Sequence, residues 1–404
     1  MKKKTIIVTL FIICVMVIIG ICTYVKKEND KKIAIDAALI NLKIKDNRTI
    51  EFLDKKKVSD YIKNIDGEII DDYIINSTNL GTQKVEFSFI TKEGYIIDSS
   101  YEVNIVDTVP PLAFVSSTYY VKKNSTKKFS PNVFCGDNYD ANPKCYFEGE
   151  YDLSKNGTYP LVFKAIDNSG NIYSKNVDLV VYTSSGSNSS NSSSKKQKTY
   201  FSDVVKKYKT DKTKIGIDIS TWQGTVDFDK LKEAGVEFVF IRVGWGYQGE
   251  YNLDTQFERN IIEANRVGIP VGIYFYSYAS TPEESVNDAL WVIEQLNGHK
   301  VDLPIAYDWE DWDDFNDYNV SFYGLTHTAE VFLDTVGIAG YDGLLYSSKN
   351  YLEKIWLDID YEIWLAHYTS KTNYEGDYRF WQLCNNGRVE GITGDVDIDI
   401  MYLD

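Results

Sequence analysis

Residues 304–314 read PIAYDWEDWDD, an apolar, strand-like start that runs into five carboxylates interleaved with two tryptophans. Side chains alternate along a strand, so Asp308 and Glu310 leave the same face if residues 303–310 are extended. Two acids are thereby aimed at one place, despite the cost of crowding like charges. That place can be an active site, a hard-cation site or a solvated strand end, and the rest of the chain has to decide.

Around this stretch strands and helices alternate. KIGIDIS (214–220), FVFIRVGW (238–245), VGIYFYSY (271–278), PIAYDWE (304–310) and GLLYSS (343–348) read as strands rich in Ile, Val, Phe and Tyr. Helical patterns fall at 226–235, 254–268, 282–298 and 326–337, and KNYLEKI (349–355) follows the fifth strand. YEIWLAHY (361–368), YRFWQLC (378–384) and DVDIDIMYL (395–403) then follow with little helix between them. Five β/α units and three further strands predict a closed barrel of mostly parallel strands, which buries both faces and leaves no edge.

Reactive groups of such a barrel gather at the C-terminal ends of its strands. Those ends carry Asp218, Arg242, Tyr274, Tyr276, Asp308, Glu310, Tyr346, His367, Gln382 and Asp397, with Trp222, Trp245, Trp309, Trp312, Trp364 and Trp381 at or near them. Paired acids with aromatic faces suit glycoside hydrolysis. One carboxyl stays protonated to protonate the leaving oxygen, a second stabilises the oxocarbenium-like centre, and aromatic faces carry sugar rings. A Ca²⁺ or Mg²⁺ site is the sharpest competitor for the acids. Asp311, Asp313 and Asp314 read as a solvated loop face, and His367 and Gln382 serve equally well as satisfied interior groups or as substrate contacts. No Ser-His-Asp order, phosphate-cradling glycine loop or zinc-spaced His/Cys set appears, so no metal and no cofactor is expected.

The remainder of the 404 residues is organised differently. The net charge is −16. From residue 200 onward there are about 16 Lys+Arg against about 36 Asp+Glu. The acidity belongs to the C-terminal part, and such a surface excludes nucleic acid as a partner, because phosphate binding needs clustered Lys and Arg. Residues 5–25 form an uncharged, mostly apolar run long enough to cross a bilayer, with no small-residue cleavage site after it, so an uncleaved anchor is expected. Lysines on both sides leave its orientation undecided by charge alone.

Residues 80–107 and 156–183 can be laid on each other without gaps, pairing Gly81 with Gly157, Phe87 with Phe163 and Gly94 with Gly170. Each copy alternates apolar and polar residues on both sides of a Gly-containing turn, the mark of a hairpin. The two units predict small β-sandwiches acting as a passive stalk. Cys135 and Cys145 bracket GDNYDANPK, a spacing that closes a disulfide loop if the body is extracellular and otherwise leaves two buried thiols. TSSGSNSSNSSSKKQKT (183–199) reads as a flexible linker with a reach of roughly 20–25 Å, which would tether the C-terminal domain loosely.

Two resemblances sharpen these expectations. DTVPP (107–111) and NGTYPLVFKAIDNSGN (156–171) resemble bacterial Ig-like modules used as spacers in Gram-positive surface proteins. GIDISTWQGTVDF, FVFIRVGWG, NRVGIPVGIYFYSYA, PIAYDWE, WLAHYT, FWQL and GDVDID, in that order, resemble the glycoside hydrolase family 25 muramidases, the Chalaropsis-type lysozymes. The second resemblance covers about residues 214–404. It implies a (β/α)5(β)3 TIM-like barrel and hydrolysis of the β-1,4 bond between N-acetylmuramic acid and N-acetylglucosamine.

It further implies Glu310 as general acid, Asp308 as its partner, and Asp218 and Asp397 as the other cleft acids. YFYSYA stands where many members carry a His-Phe pair, and His367 where Gln is usual, which bears on substrate preference. The expected organisation is therefore a cytoplasmic tip and transmembrane anchor (1–30), Ig-like modules (31–107 and 108–182), a linker (183–199) and a catalytic barrel (200–404). The expected substrate contacts are Trp222, Arg242, Tyr274, Tyr276, Trp309, Tyr346, Trp364, His367 and Gln382. The expected function is wall remodelling by a membrane-anchored, wall-facing muramidase whose partners are peptidoglycan strands and the membrane. A catalytically silent glycan receptor and a hydrolase of another N-acetylglucosamine polymer are the alternatives.

Overall fold

A computed structural model describes residues 2–183 and 197–403, in two compact bodies, Met1–Thr108 and Val109–Asp404. Most of the expected linker, residues 184–196, lies outside the described residues.

The first body opens with one helix, Lys2–Asn41, whose apolar part is long enough to cross a membrane. At 1.5 Å per residue its 40 residues span about 60 Å. No structural break falls at residue 30, because KKENDKKIAIDAALIN contains no Gly or Pro to stop the helix. Its last turns instead join the following β-unit, where Ala38 is buried beside Ile35 and Leu42. That unit is a four-stranded sheet in the order Thr49–Glu51, Ile96–Val106, Gly81–Thr91, Gly67–Ile69, with a two-stranded ladder, Lys43–Ile44 on Ile62–Asn64.

The second body contains the other β-unit and the barrel. The β-unit repeats the first sheet order with Thr118–Lys122, Ile172–Tyr182, Gly157–Ile166 and Lys144–Glu148. Registers match across the repeat: Gly81 faces Ile105 as Gly157 faces Val181, and Ile90 faces Ile96 as Ile166 faces Ile172. Both hairpin turns need a left-handed residue, met by Gly94 (φ 84°) and Gly170 (φ 91°). A two-stranded ladder, Leu112–Ala113 on Cys135–Gly136, places Ala113 and Cys135 in one core with Phe163, Ala165 and Val177. Cys135 and Cys145 are joined by a disulfide, with Cα atoms 6.6 Å apart.

In the barrel, eight strands pair in a closed ring: β1 (Thr213–Ile219), β2 (Val239–Tyr247), β3 (Val271–Ser277), β4 (Ile305–Asp308), β5 (Gly343–Ser348), β6 (Glu362–Ala366), β7 (Phe380–Arg388) and β8 (Val396–Tyr402). Neighbours run parallel from β1 to β7, while β8 is antiparallel to both β7 and β1 and closes the ring. Helices α1 (Phe228–Glu233), α2 (Phe257–Val267), α3 (Pro282–Leu296), α4 (Phe322–Ile338) and α5 (Lys349–Leu352) follow the first five strands. Their starts are written in the sequence: Thr281 caps α3 with Glu284 and Pro282 completing the signal, and Ser321 Oγ accepts from Gly324 N at α4. Phe238, Phe240, Trp364, Phe380 and Met401 share one buried cluster, and a larger one holds residues of strands and helices together, such as Ile217, Ile241, Phe257 and Phe332. Thr199–Tyr200 pairs with Gly387–Arg388 of β7, so the barrel fold begins just before residue 200.

The second β-unit is not loosely tethered. Its segment around residues 132–138 is hydrogen-bonded to the loop that follows β4, and Phe134 packs into that loop's aromatic cluster. Local composition described the linker and carried no information on this long-range contact.

Candidate active site

Strand register assembles the site. Asp218 stands opposite Asp397 across the β1–β8 ladder, and Tyr276, Asp308, Tyr346 and Trp364 are successive partners across β3, β4, β5 and β6. Partners in register point to the same face, so one layer at the C-terminal ends carries the acids together.

Gln382 is the hub of this layer. Its Nε2 donates to Asp218 Oδ2 at 2.8 Å and to Asp397 Oδ2 at 3.3 Å, while its Oε1 accepts from the Tyr346 and Tyr368 hydroxyls at 3.0 Å each. Both donors and both lone pairs of the amide are used, so Gln382 orders the acids rather than offering a free group to a ligand. Tyr346 is likewise committed and buried.

The acids sit in environments that favour their neutral forms. Burial, then the charge of Asp399, holds Asp218 well above the usual carboxylate range. Burial also raises Asp308, reinforced by Glu310 and Asp218 and opposed by Arg242. Asp308 Oδ1 is buried and has no hydrogen-bond partner. Asp397 is pushed up to about 9 by burial, with Asp218 and Glu310 adding to it. Glu310 is raised to about 7 by burial. Its side chain is nevertheless solvent-exposed at the mouth of the cleft, so water screens part of that push and the exposure decides its access to substrate.

A cavity of about 440 Å³ opens beside Glu310, lined also by Tyr346, Lys349, Glu353, His367 and Tyr368. His367 is half-buried, its Nδ1 is 2.9 Å from Thr372 Oγ1, and burial lowers its pKa, which favours the neutral ring. Trp222 is 82% exposed. Tyr274 and Tyr276 are partly buried, with Tyr274 near Asp218, Arg242 and Asp308.

Three further expected substrate contacts take other roles. Trp309 is fully buried and donates from Nε1 to Ala279 O at 3.1 Å. The alternation that sends Asp308 and Glu310 to one face sends Trp309 to the other. Trp364 is buried against Phe240, with centroids 4.4 Å apart, and donates to Asp399 Oδ1 at 2.8 Å. Arg242 is held by Asp254, with Nε and Nη2 at 2.9 and 2.8 Å from Oδ2, so its charge acts on the cleft through Asp308.

Sequence reading missed Asp399, Asp254 and Tyr368. Asp399 is fully buried, acts on Asp218 through its charge and takes the Trp364 indole N–H. Its signal was present, since it lies two residues beyond Asp397 and therefore on the same face. Asp254 also accepts from the backbone of Thr221 and Gln256, ordering the turn that carries Trp222.

Residues 217–392 match the family model for glycosyl hydrolases family 25. The autolytic lysozyme of Clostridium acetobutylicum is 29% identical over 187 residues, covering 46% of this chain and 54% of its own length. Lysozyme M1 of Streptomyces globisporus is 27% identical over 200 residues, covering 45% and 65%. A family 25 glycosyl hydrolase structure from Bacillus anthracis aligns with a TM-score of 0.43 at 22% identity, covering 49% of this chain and 93% of that one. The chain thus spans about half the length of the Clostridium acetobutylicum relative. The matched segment 217–392 contains Asp218, Asp308, Glu310 and Gln382, and its similarity is to the glycosyl hydrolases family 25.

Proposed function

We propose that the protein is a peptidoglycan muramidase that cleaves the β-1,4 bond between N-acetylmuramic acid and N-acetylglucosamine. The observation that carries this reading is the pairing of an accessible Glu310, raised to about 7, with a buried Asp308 whose Oδ1 is unpartnered. Near neutral pH Glu310 retains a proton to give to the glycosidic oxygen as the C1–O bond breaks. Water then adds its oxygen at C1, and its proton restores the Glu310 carboxyl. The free Asp308 oxygen is suited to accept the N–H of a 2-acetamido group, orienting the sugar or stabilising charge at C1. Gln382 fixes Asp218 and Asp397, while Trp222 and Tyr276 offer faces to flanking sugars. Burial favours the protonated form of Glu310.

The finer architecture belongs to the same proposal. The ring of eight strands supports a (β/α)5(β)3 TIM-like barrel, and the two repeated sheets support Ig-like modules. The apolar helix supports a membrane anchor with the N-terminus inside and the enzyme facing the wall of a Gram-positive cell, where tethering suits remodelling of the cell's own wall. No cofactor or metal enters this chemistry.

The test is digestion of purified peptidoglycan by the full chain in detergent micelles, with mass spectrometry of borohydride-reduced products. Ends carrying reduced muramic acid are expected. Ends carrying reduced glucosamine would overturn the bond specificity, and binding without cleavage would replace the enzyme with a glycan receptor.

A further inference from the structure

The loop that follows Glu310 is held from two sides. On one side it lies on the barrel. On the other it meets the second β-unit, outside the segment that matches the family.

The contact is built from backbone groups that would otherwise lack partners. Asn316 Oδ1 accepts from Cys135 N at 3.0 Å and its Nδ2 donates to Val133 O at 2.9 Å. Asn132 Nδ2 donates to Asp313 O at 2.5 Å. Phe322 N and Tyr323 N donate to Asp137 O and Asn138 O at 2.8 and 3.2 Å. The first amides of a helix have no partner within it. Here the first two of α4, the helix that continues from the catalytic loop, are satisfied by carbonyls of a different domain.

Aromatic rings carry the contact inward. Phe134 lies 4.7 Å from Phe315 and 6.4 Å from Trp312 between centroids. Trp312 lies 4.7 Å from Trp309, the residue before Glu310, and stacks at 4.0 Å on Tyr351 of α5. Phe114 also reaches Tyr351, at 6.1 Å. Tyr351 sits between Asn350 and Glu353, both of which line the cavity beside Glu310. At Gly136 the fit is closed, since a Cβ there would come within 2.5 Å of Phe322 and 2.7 Å of Phe315.

We infer that the second β-unit, residues 109–182, is a buttress of the active site, positioning the Glu310 loop and the α5 wall of the cleft so that full turnover depends on its docking. Phe134, Gly136 and Asn316 are positioning residues in this account, which rests on the muramidase reading. Displacing a reacting group by about 1 Å costs on the order of 100-fold in rate, so a loosened loop should be felt in kcat.

The experiment uses the full chain in detergent micelles with a specific protease site introduced within residues 184–196. After cleavage, the two pieces of the otherwise native chain should elute together. Gly136→Leu should separate them, lower kcat about 10- to 100-fold with KM changed less than about threefold, and move Trp309 and Trp312 emission to the red. Phe134→Leu should retain most activity and Phe134→Ser should not. If the native pieces separate while kcat persists, or if Gly136→Leu separates them at unchanged kcat, the buttress is overturned. Should Gly136→Leu fail to fold by circular dichroism, Phe134→Ser gives the same two readings. A native chain that cleaves no peptidoglycan sinks the muramidase reading, whereas co-elution and emission still decide whether the β-unit holds the loop.

Discussion

The two β-units are copies of one hairpin that have acquired different neighbours. Both present the same register, the same glycine turn and the same sheet order, with Phe87 and Phe163 buried at equivalent positions. In the first, the added contact is the end of the N-terminal helix, through Ile35, Ala38 and Leu42. In the second, the ladder strand Cys135–Gly136, joined by a disulfide to Cys145, brings Gly136 and the preceding Phe134 onto the loop that follows Glu310. The hairpin therefore specifies the sheet, and the connecting segments specify what the sheet serves.

Substituting the equivalent phenylalanines tests this contrast most severely. Phe87→Ala and Phe163→Ala should each cost about 3–5 kcal/mol in the stability of the body that contains them, read by urea unfolding. Only Phe163→Ala, which shares a core with Cys135 and Val133, should also lower kcat on peptidoglycan. Equal kinetic effects would erase the distinction.

Removing the disulfide by Cys135→Ser with Cys145→Ser should cost about 2–3 kcal/mol, given the short loop it closes. Thermal unfolding should register the loss in the second body alone, since the first body's only cysteines, Cys14 and Cys22, lie in its helix.

A gentler separation comes from pH. Burial raises Glu310 and Asp288 to about 7 and Asp397 to about 9 in the folded second body. Groups raised on folding stabilise fully below their unfolded values, near 4, and that contribution is lost as pH rises through 7 to 9. The melting temperature of the second body should therefore fall by about several degrees between pH 6 and pH 9, and Asp397→Asn should flatten the slope. A slope unchanged by Asp397→Asn would contradict the assignment.

Smallest of all, Asn316→Ala removes two hydrogen bonds across the docked face and should cost about 1 kcal/mol, visible as faster proteolysis of the 311–321 loop.

Much of the cleft was legible because strands alternate. Reading strand ends located Asp218, Arg242, Tyr274, Tyr276, Asp308, Tyr346, Gln382 and Asp397, and the structure brings them into one neighbourhood. The same alternation, applied to every residue, excludes Trp309 from the cleft and admits Asp399. Trp364 misleads for a different reason: it occupies the right layer, but closure of the barrel seals it inside against Phe240. The docking of the second β-unit had no local signal, because Cys135 and Asn316 lie 181 residues apart and FCGDNYD follows neither helical nor strand periodicity.

The most direct test of the central claim is the turnover of peptidoglycan by the full chain and by Glu310→Gln, with folding verified by near-ultraviolet circular dichroism. The amide keeps the shape and loses the transferable proton, so the account predicts a native spectrum and a fall in kcat on the order of 10²–10⁴. A native spectrum with retained turnover would contradict it and return the proton donor to another of the cleft acids.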